Sequence, residues 1–391
     1  MVAADMDSLE SLRLRTPHGT VPLGFVRQFG FVYLIARARS AQWPVELLRT
    51  GRAELVIREE NAVGTAELIT VRDDREKILG LFRAKYGPEA FSRWYENPAR
   101  VIRVDLDRGS PTPSVGESRG TSAYYSWLTA EFDNVADDYD RHITGNRINL
   151  LLRNRSLAVL ERRFANARRI LEIGCGSGME TLPLLEAGHE VTAVDISGRM
   201  LDTVRHKAER AGVSERLTTR ELAARNLPTM AEDGGAGPFD AAFSTFGALN
   251  CEPDLAPIPG ALYRLLKPDA PFVTAVYNRW CLFELMGYSL TFQPGRAFGR
   301  VHNPVPVGAS RFCVDVFAHS VGDFERLFRT GFRRERLEAV PIVLPPSDLV
   351  QYADRFERHF DLLAAWDARL GRRWPLNRFG DHFLITFVRR S

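Results

Sequence analysis

The sequence predicts an α/β protein built on a doubly wound, largely parallel sheet, with a smaller α+β domain in front of it. Three observations carry this expectation. Apolar runs alternate with helical periods from residue 148 onward. Between Ile170 and Asp195 a strand, a glycine turn, a helix, a second strand and an acid follow one another. Residues 107–121, from Asp107 to Thr121, are rich in Gly, Pro and Ser with no apolar period, and divide the chain.

The central unit starts with the apolar run Ile170 to Ile173, continues through Gly174, Gly176 and Gly178 at alternate positions, and enters a helical pattern from Met179 to Glu186. Gly188 stops that helix, and the strand Val191 to Val194 ends on Asp195. The glycines allow a tight turn and a close backbone approach to a ligand, and Asp195 can accept hydrogen bonds from both hydroxyls of a ribose. A nicotinamide fingerprint needs its last glycine five residues after the first. Here Met179 holds that place, and Glu172 sits two residues before the first glycine. A carboxylate there repels a pyrophosphate and suits an ammonium. The ligand implied carries a ribose, a cationic amine and no phosphate, features that S-adenosylmethionine has.

Glu172-x-Gly174-x-Gly176-x-Gly178 with Asp195, Asn226-Leu227-Pro228, Phe239-Asp240 and Leu265-Leu266-Lys267-Pro268, in that order and spacing, resembles the class I S-adenosylmethionine-dependent methyltransferases. The likeness covers residues 122–391 and implies a Rossmann-like methyltransferase sheet. It also implies a set of cofactor contacts: Glu172, Gly174, Cys175, Gly176 and Gly178 at the methionine end, then Asp195 and Ile196 at the ribose. Met200, Leu222 and Ala223 fall beside the adenine, Ser244 at the exit of the fourth strand, and Tyr139 in the segment that closes over the cofactor in this family. Ala223 and Arg225 stand where the family often has an acid against the adenine amine. No Asn-Pro-Pro-Tyr cluster follows the fourth strand, which argues against exocyclic amines of nucleic acid as acceptor.

The remaining strands expected in this domain are 217–223, 240–250 with its exit, 272–276, 311–319, 334–340 and 383–388. Helices are expected over 148–164, 197–211, 262–268, 278–290, 320–329 and 348–370. The last is dense in Phe356, Phe360, Leu362, Leu363 and Trp366, and its place between the final strands marks it as a lid over an apolar substrate. Insertions at about 279–330 and 341–381 read as substrate caps. If the acceptor must lose a proton, His142 and His382 are the candidate bases, since imidazole changes protonation near neutral pH. No metal site is expected: Cys175, Cys251, Cys281 and Cys313 lack CxxC spacing and read as reduced thiols.

Ahead of the linker, residues 1–23 read as a flexible tail and 24–106 as a compact module. Strands are expected at 31–36, 54–58, 64–71 and 100–106, with helices at 41–48, from Asp73, and at 89–95. This order, with Trp43-Pro44 and Lys85-Tyr86-Gly87, resembles the pyridoxamine-phosphate-oxidase-like split barrels, which include deazaflavin-dependent reductases. That resemblance implies a split-barrel-like domain and a homodimer formed through it. It also supplies the rival reading, a two-domain flavin- or deazaflavin-binding oxidoreductase or sensor.

A net charge of +3 gives no reason to expect a nucleic-acid partner. No apolar run approaches membrane-spanning length, and acids at Asp5 and Asp7 speak against a signal peptide, so the expected location is cytoplasmic. The function expected is transfer of a methyl group from S-adenosyl-L-methionine to a small, partly apolar molecule.

Overall fold

In a computed structural model the chain divides into two compact units, Met1–Ser118 and Arg119–Ser391. The structure describes residues 11–16, 19–28, 31–36, 43–57, 60–69, 72–87, 89, 91, 100–107, 124–125, 128–129, 132–133, 136, 139–232, 237–290, 292, 297–301, 305, 316–349, 353 and 357–391.

The first unit is an antiparallel sheet of seven strands. They are β1 (Leu12–Thr16), β2 (Gly19–Leu23), β3 (Phe25–Gln28), β4 (Phe31–Ala36), β5 (Arg52–Ile57), β6 (Glu60–Leu68) and β7 (Arg100–Asp107), in the order β2-β1-β5-β6-β7-β4-β3. Helices Trp43–Thr50 and Arg72–Tyr86 connect β4 to β5 and β6 to β7. The tail expected over 1–23 is corrected here: β1 and β2 pair with each other, and β1 pairs with β5. Leu12 and Leu14 are buried and alternate with exposed Arg13 and Arg15, a period-two strand pattern masked in the sequence by its arginines. Leu12, Leu14, Phe25, Leu34, Leu55 and Val104 belong to this unit's own core. The helix expected at 89–95 and the linker beyond Asp107 lie outside the described residues, apart from Glu89 and Phe91.

The second unit is a seven-stranded α/β sheet. Its strands are β8 (Arg169–Ile173), β9 (Glu190–Asp195), β10 (Leu217–Glu221), β11 (Ala241–Ser244), β12 (Pro271–Tyr277), β13 (Phe332–Val340) and β14 (His382–Arg389). The order is β10-β9-β8-β11-β12-β14-β13. The first five run parallel, and β14 inserts antiparallel between β12 and β13. After β10 the chain crosses back over β8 to form β11. That reversal leaves a switch point between β8 and β11, where ligands settle in open parallel sheets.

Successive residues of β8 face opposite sides of the sheet. Leu171 and Ile173 join a core with Leu262, Phe324 and Phe387, whereas Ile170 joins one with Leu160, Leu185 and Val204. Helices therefore cover both faces, which makes the sheet doubly wound. The helix Arg147–Phe164 is capped by Asn146, whose side chain accepts from the Ile148 and Asn149 N–H. Ser197 caps Gly198–Arg210 and Ser320 caps Val321–Phe328 in the same way.

Two further expectations change. Of the strand expected at 311–319, residues 311–315 lie outside the described set, and His319 makes only an isolated bridge to Asn278. The helix expected over 348–370 is broken. A short turn at Ser347–Leu349 and another at Glu357–His359 precede the helix Phe360–Leu370, and Phe356 lies outside the described residues.

Candidate functional site

The carboxyl ends of β8, β9, β11 and β12 open on a cavity of about 210 Å3 within the second unit. Gly174 and Gly178 are what let the turn after β8 form. Gly174 has φ +73, and a Cβ there would lie 2.1 Å from the Ala248 Cβ; Gly178 has φ +78, with Val204 2.9 Å from the same construction. The turn is thus pressed against the β11 exit on one side and against the helix Gly198–Arg210 on the other. Gly176 lies open to the cavity, with the Tyr139 ring 3.7 Å from a Cβ built on it.

Asp195, at the end of β9, is fixed by this turn. Its Oδ2 accepts from the Gly176 N–H at 2.8 Å, and its Oδ1 from the Ser197 N–H at 3.0 Å. Burial pushes the carboxyl up, against the backbone N–H groups of Ser197, Gly176 and Ile196. Of the residues expected from sequence, Tyr139, Gly174, Cys175, Gly176, Asp195, Ile196, Met200, Leu222 and Ala223 line the cavity, and so does His382. Burial raises the Tyr139 hydroxyl to about 12, so it stays protonated.

Three expected residues stand away from the wall. Glu172 shares the face of Ile170, is buried, and accepts from Thr181 Oγ1 at 2.5 Å. Burial pushes its carboxyl well above the ordinary range, with the Thr181 hydrogen bond opposing. Gly178 serves helix packing. Ser244 is buried and donates its Oγ to the Ile173 carbonyl at 2.8 Å, tying β11 to β8. The side chain of His142 lies outside the described residues.

Other wall residues were not singled out from sequence. Glu180 and Arg153 form a buried ion pair, with Arg153 Nη1 2.7 Å from both carboxylate oxygens. The guanidinium also lies 4.0 Å over the Phe246 ring, and its buried Nε has no hydrogen-bond partner among the described residues. Glu252 accepts from the Tyr125 hydroxyl at 2.5 Å and from the Arg225 N–H at 3.3 Å. Leu128, Phe132, Ile143, Val305 and Val316 add apolar surface. Among described residues of the expected caps, Val305, Val316 and Ser347 reach the cavity. Helix Phe360–Leu370 does not; Phe360, Leu363 and Ala364 pack on the core beneath it.

Residues 170–269 match the protein family described as "Methyltransferase domain". This segment, which runs from β8 to the turn before β12, is thus similar to methyltransferase domains. Among curated relatives, demethylmenaquinone methyltransferase of Lactiplantibacillus plantarum is 32% identical over 147 residues, 36% of this chain and 59% of the relative. The tRNA 5-carboxymethoxyuridine methyltransferase of Escherichia coli is 26% identical over 151 residues, 38% of this chain and 56% of the relative. The chain spans a little over half the length of these two relatives. Among solved structures, the CcbJ methyltransferase from Streptomyces caelestis aligns over 66% of this chain and 97% of its own, at 16% identity and a TM-score of 0.44. That likeness is too weak to bear on activity.

Proposed function

We propose that the second unit transfers a methyl group from S-adenosyl-L-methionine to a small, partly apolar acceptor. The observation that carries this reading is the Asp195 carboxylate, held at the cavity wall by the glycine turn with lone pairs left for a ribose. The residues present fit such a donor. Arg153 and Glu180, a cation and an anion side by side on the wall, match a zwitterionic methionine end. Ile196, Met200, Leu222 and Ala223 offer an apolar slot for the base. When bound, the donor supplies an already activated methyl. This chain's residues then bind, align and exclude water, and alignment alone can account for several kcal/mol of barrier.

The apolar wall and the match to a quinone-directed relative support an apolar, ring-bearing acceptor. The first unit, taken as a split-barrel-like module, would serve self-association or acceptor access. Isothermal calorimetry with S-adenosylhomocysteine tests the reading. Micromolar binding is expected, and binding of NADH in its place would overturn it. Purified protein that absorbs in the flavin region would favour the rival oxidoreductase reading.

A further inference from the structure

We propose that His382, oriented by Asp381, is the base that takes the proton from a weakly acidic hydroxyl on the acceptor, a phenol or enol, so that the transfer is O-methylation. This rests on the methyltransferase reading and names its acceptor class.

His382 opens β14, whose antiparallel course brings its first residue to the same sheet edge as the carboxyl ends of the parallel strands. It is in register with Tyr277, the last residue of β12, and both line the cavity. Their rings meet edge to face, with centroids 5.3 Å apart. Asp195 lies four strands away, roughly 19 Å at the usual strand spacing of about 4.8 Å. His382 therefore stands at the end of the cavity opposite the ribose acid, where an acceptor would enter.

One imidazole nitrogen is committed and one is not. Nδ1 lies 3.0 Å from Asp381 Oδ2. Among the described residues, no protein group hydrogen-bonds Nε2. A carboxylate on Nδ1 fixes the tautomer with a bare Nε2 and favours the imidazolium formed when Nε2 takes a proton.

Asp381 is itself held hard. It is buried, and its Oδ1 accepts from Arg300 Nη2 at 2.6 Å. Burial alone would push its carboxyl up; Arg300 and His382 overcome that and hold it at about 2. Arg300 is also buried. It bonds Glu284 through Nε at 2.8 Å, reaches the carbonyls of Asn278 and Asp381, and lies 3.9 Å over the Tyr277 ring. Cys281, Glu284 and Asp381 are close enough together to hold a cation, and the guanidinium already bonds both carboxylates. Two carboxylates against one guanidinium leave one negative charge behind the imidazole, the sign an imidazolium needs.

In the step, the acceptor O–H proton passes to His382 Nε2. The freed oxygen pair forms the new C–O bond to the methyl carbon. The methyl's bond to sulfur breaks with its electron pair kept by sulfur, which becomes a neutral thioether. The proton on His382 then leaves to solvent. Asp381 is a positioning residue throughout.

The first test needs no acceptor. In full-length protein labelled with 15N-histidine, the resonance lost in His382→Gln is expected to report an Nδ1–H, bare-Nε2 tautomer. In Asp381→Asn it is expected to move toward the Nε2–H form that free imidazole prefers. An Nε2–H tautomer in the unsubstituted protein overturns the dyad.

The second test measures methylation of 4-methoxyphenol and 4-nitrophenol. His382→Gln should lower kcat on the weakly acidic methoxyphenol about 100-fold or more, and on the far more acidic nitrophenol less than about tenfold. Equal losses overturn the base. Failure of wild-type protein to methylate either phenol while binding S-adenosylhomocysteine overturns the acceptor class. If S-adenosylhomocysteine does not bind at all, the methyltransferase reading falls instead.

Discussion

The backbone N–H of Gly176 and the Asp195 carboxylate lie 2.8 Å apart, joining the turn after β8 to the end of β9. This contact fixes the acid before any ligand arrives, so its free lone pairs are preorganised. Asp195→Ala removes both the proposed ribose acceptor and the brace on the turn. Loss of charge-assisted hydrogen bonds worth about 1.5–3 kcal/mol should weaken S-adenosylhomocysteine about 10- to 100-fold by calorimetry. Equal affinity in the two proteins would remove Asp195 from the site.

Gly174 tests the turn itself. In Gly174→Ala the new methyl would fall 2.1 Å from the Ala248 Cβ, on a backbone with φ +73. The left-handed conformation and the overlap together should cost about 2–4 kcal/mol. Adding Ala248→Gly relieves the overlap but not the backbone cost, so urea midpoints should show partial recovery. Full recovery would mean that φ carries no penalty here, and none would mean that Ala248 is not the obstacle.

How much of this was legible in the sequence depends on range. The β8 turn and Asp195 are local, and their apolar runs and glycines announce them. Glu172 was assigned to the ligand because it precedes the glycines, but strand alternation sends it to the face of Ile170, under Thr181. Arg153 and Glu180 sit on separate segments 27 positions apart, and nothing in either segment alone announces their pairing. The register of Tyr277 with His382 depends on β14 inserting antiparallel next to β12, a tertiary choice that no periodicity reports. In the first unit, β1 was hidden because arginines occupy its exposed face.

Glu172 leads to a pH prediction. Burial raises its carboxyl, so the fold favours the protonated form. A raised acid contributes stability that is fully present below its unfolded value, about 4.3, and is lost as pH rises through the folded value. Glu172→Gln mimics the protonated state and should be free of that loss. Its urea midpoint should fall less than that of the wild type as pH rises above the ordinary carboxylate range. Its S-adenosylhomocysteine affinity should stay within about threefold, since Glu172 lies off the cavity wall. Parallel stability profiles would refute the protonated assignment, and a large affinity loss would restore Glu172 to the ligand.

The division of labour between the units is the last expectation. Every described residue on the cavity wall falls between Tyr125 and His382, inside the second unit. Among the described residues that unit has a hydrophobic core on each face of its sheet, while the β1–β7 sheet has a separate one. A domain of this length can bury enough surface to fold alone. Residues 119–391 expressed by themselves should therefore unfold in one cooperative transition and bind S-adenosylhomocysteine within about threefold of the full chain. Light scattering on both proteins reads whether the first unit drives self-association: a dimeric full chain beside a monomeric fragment is the expected pair. A fragment that is insoluble, or that no longer binds, would show that the first unit completes the core or the site.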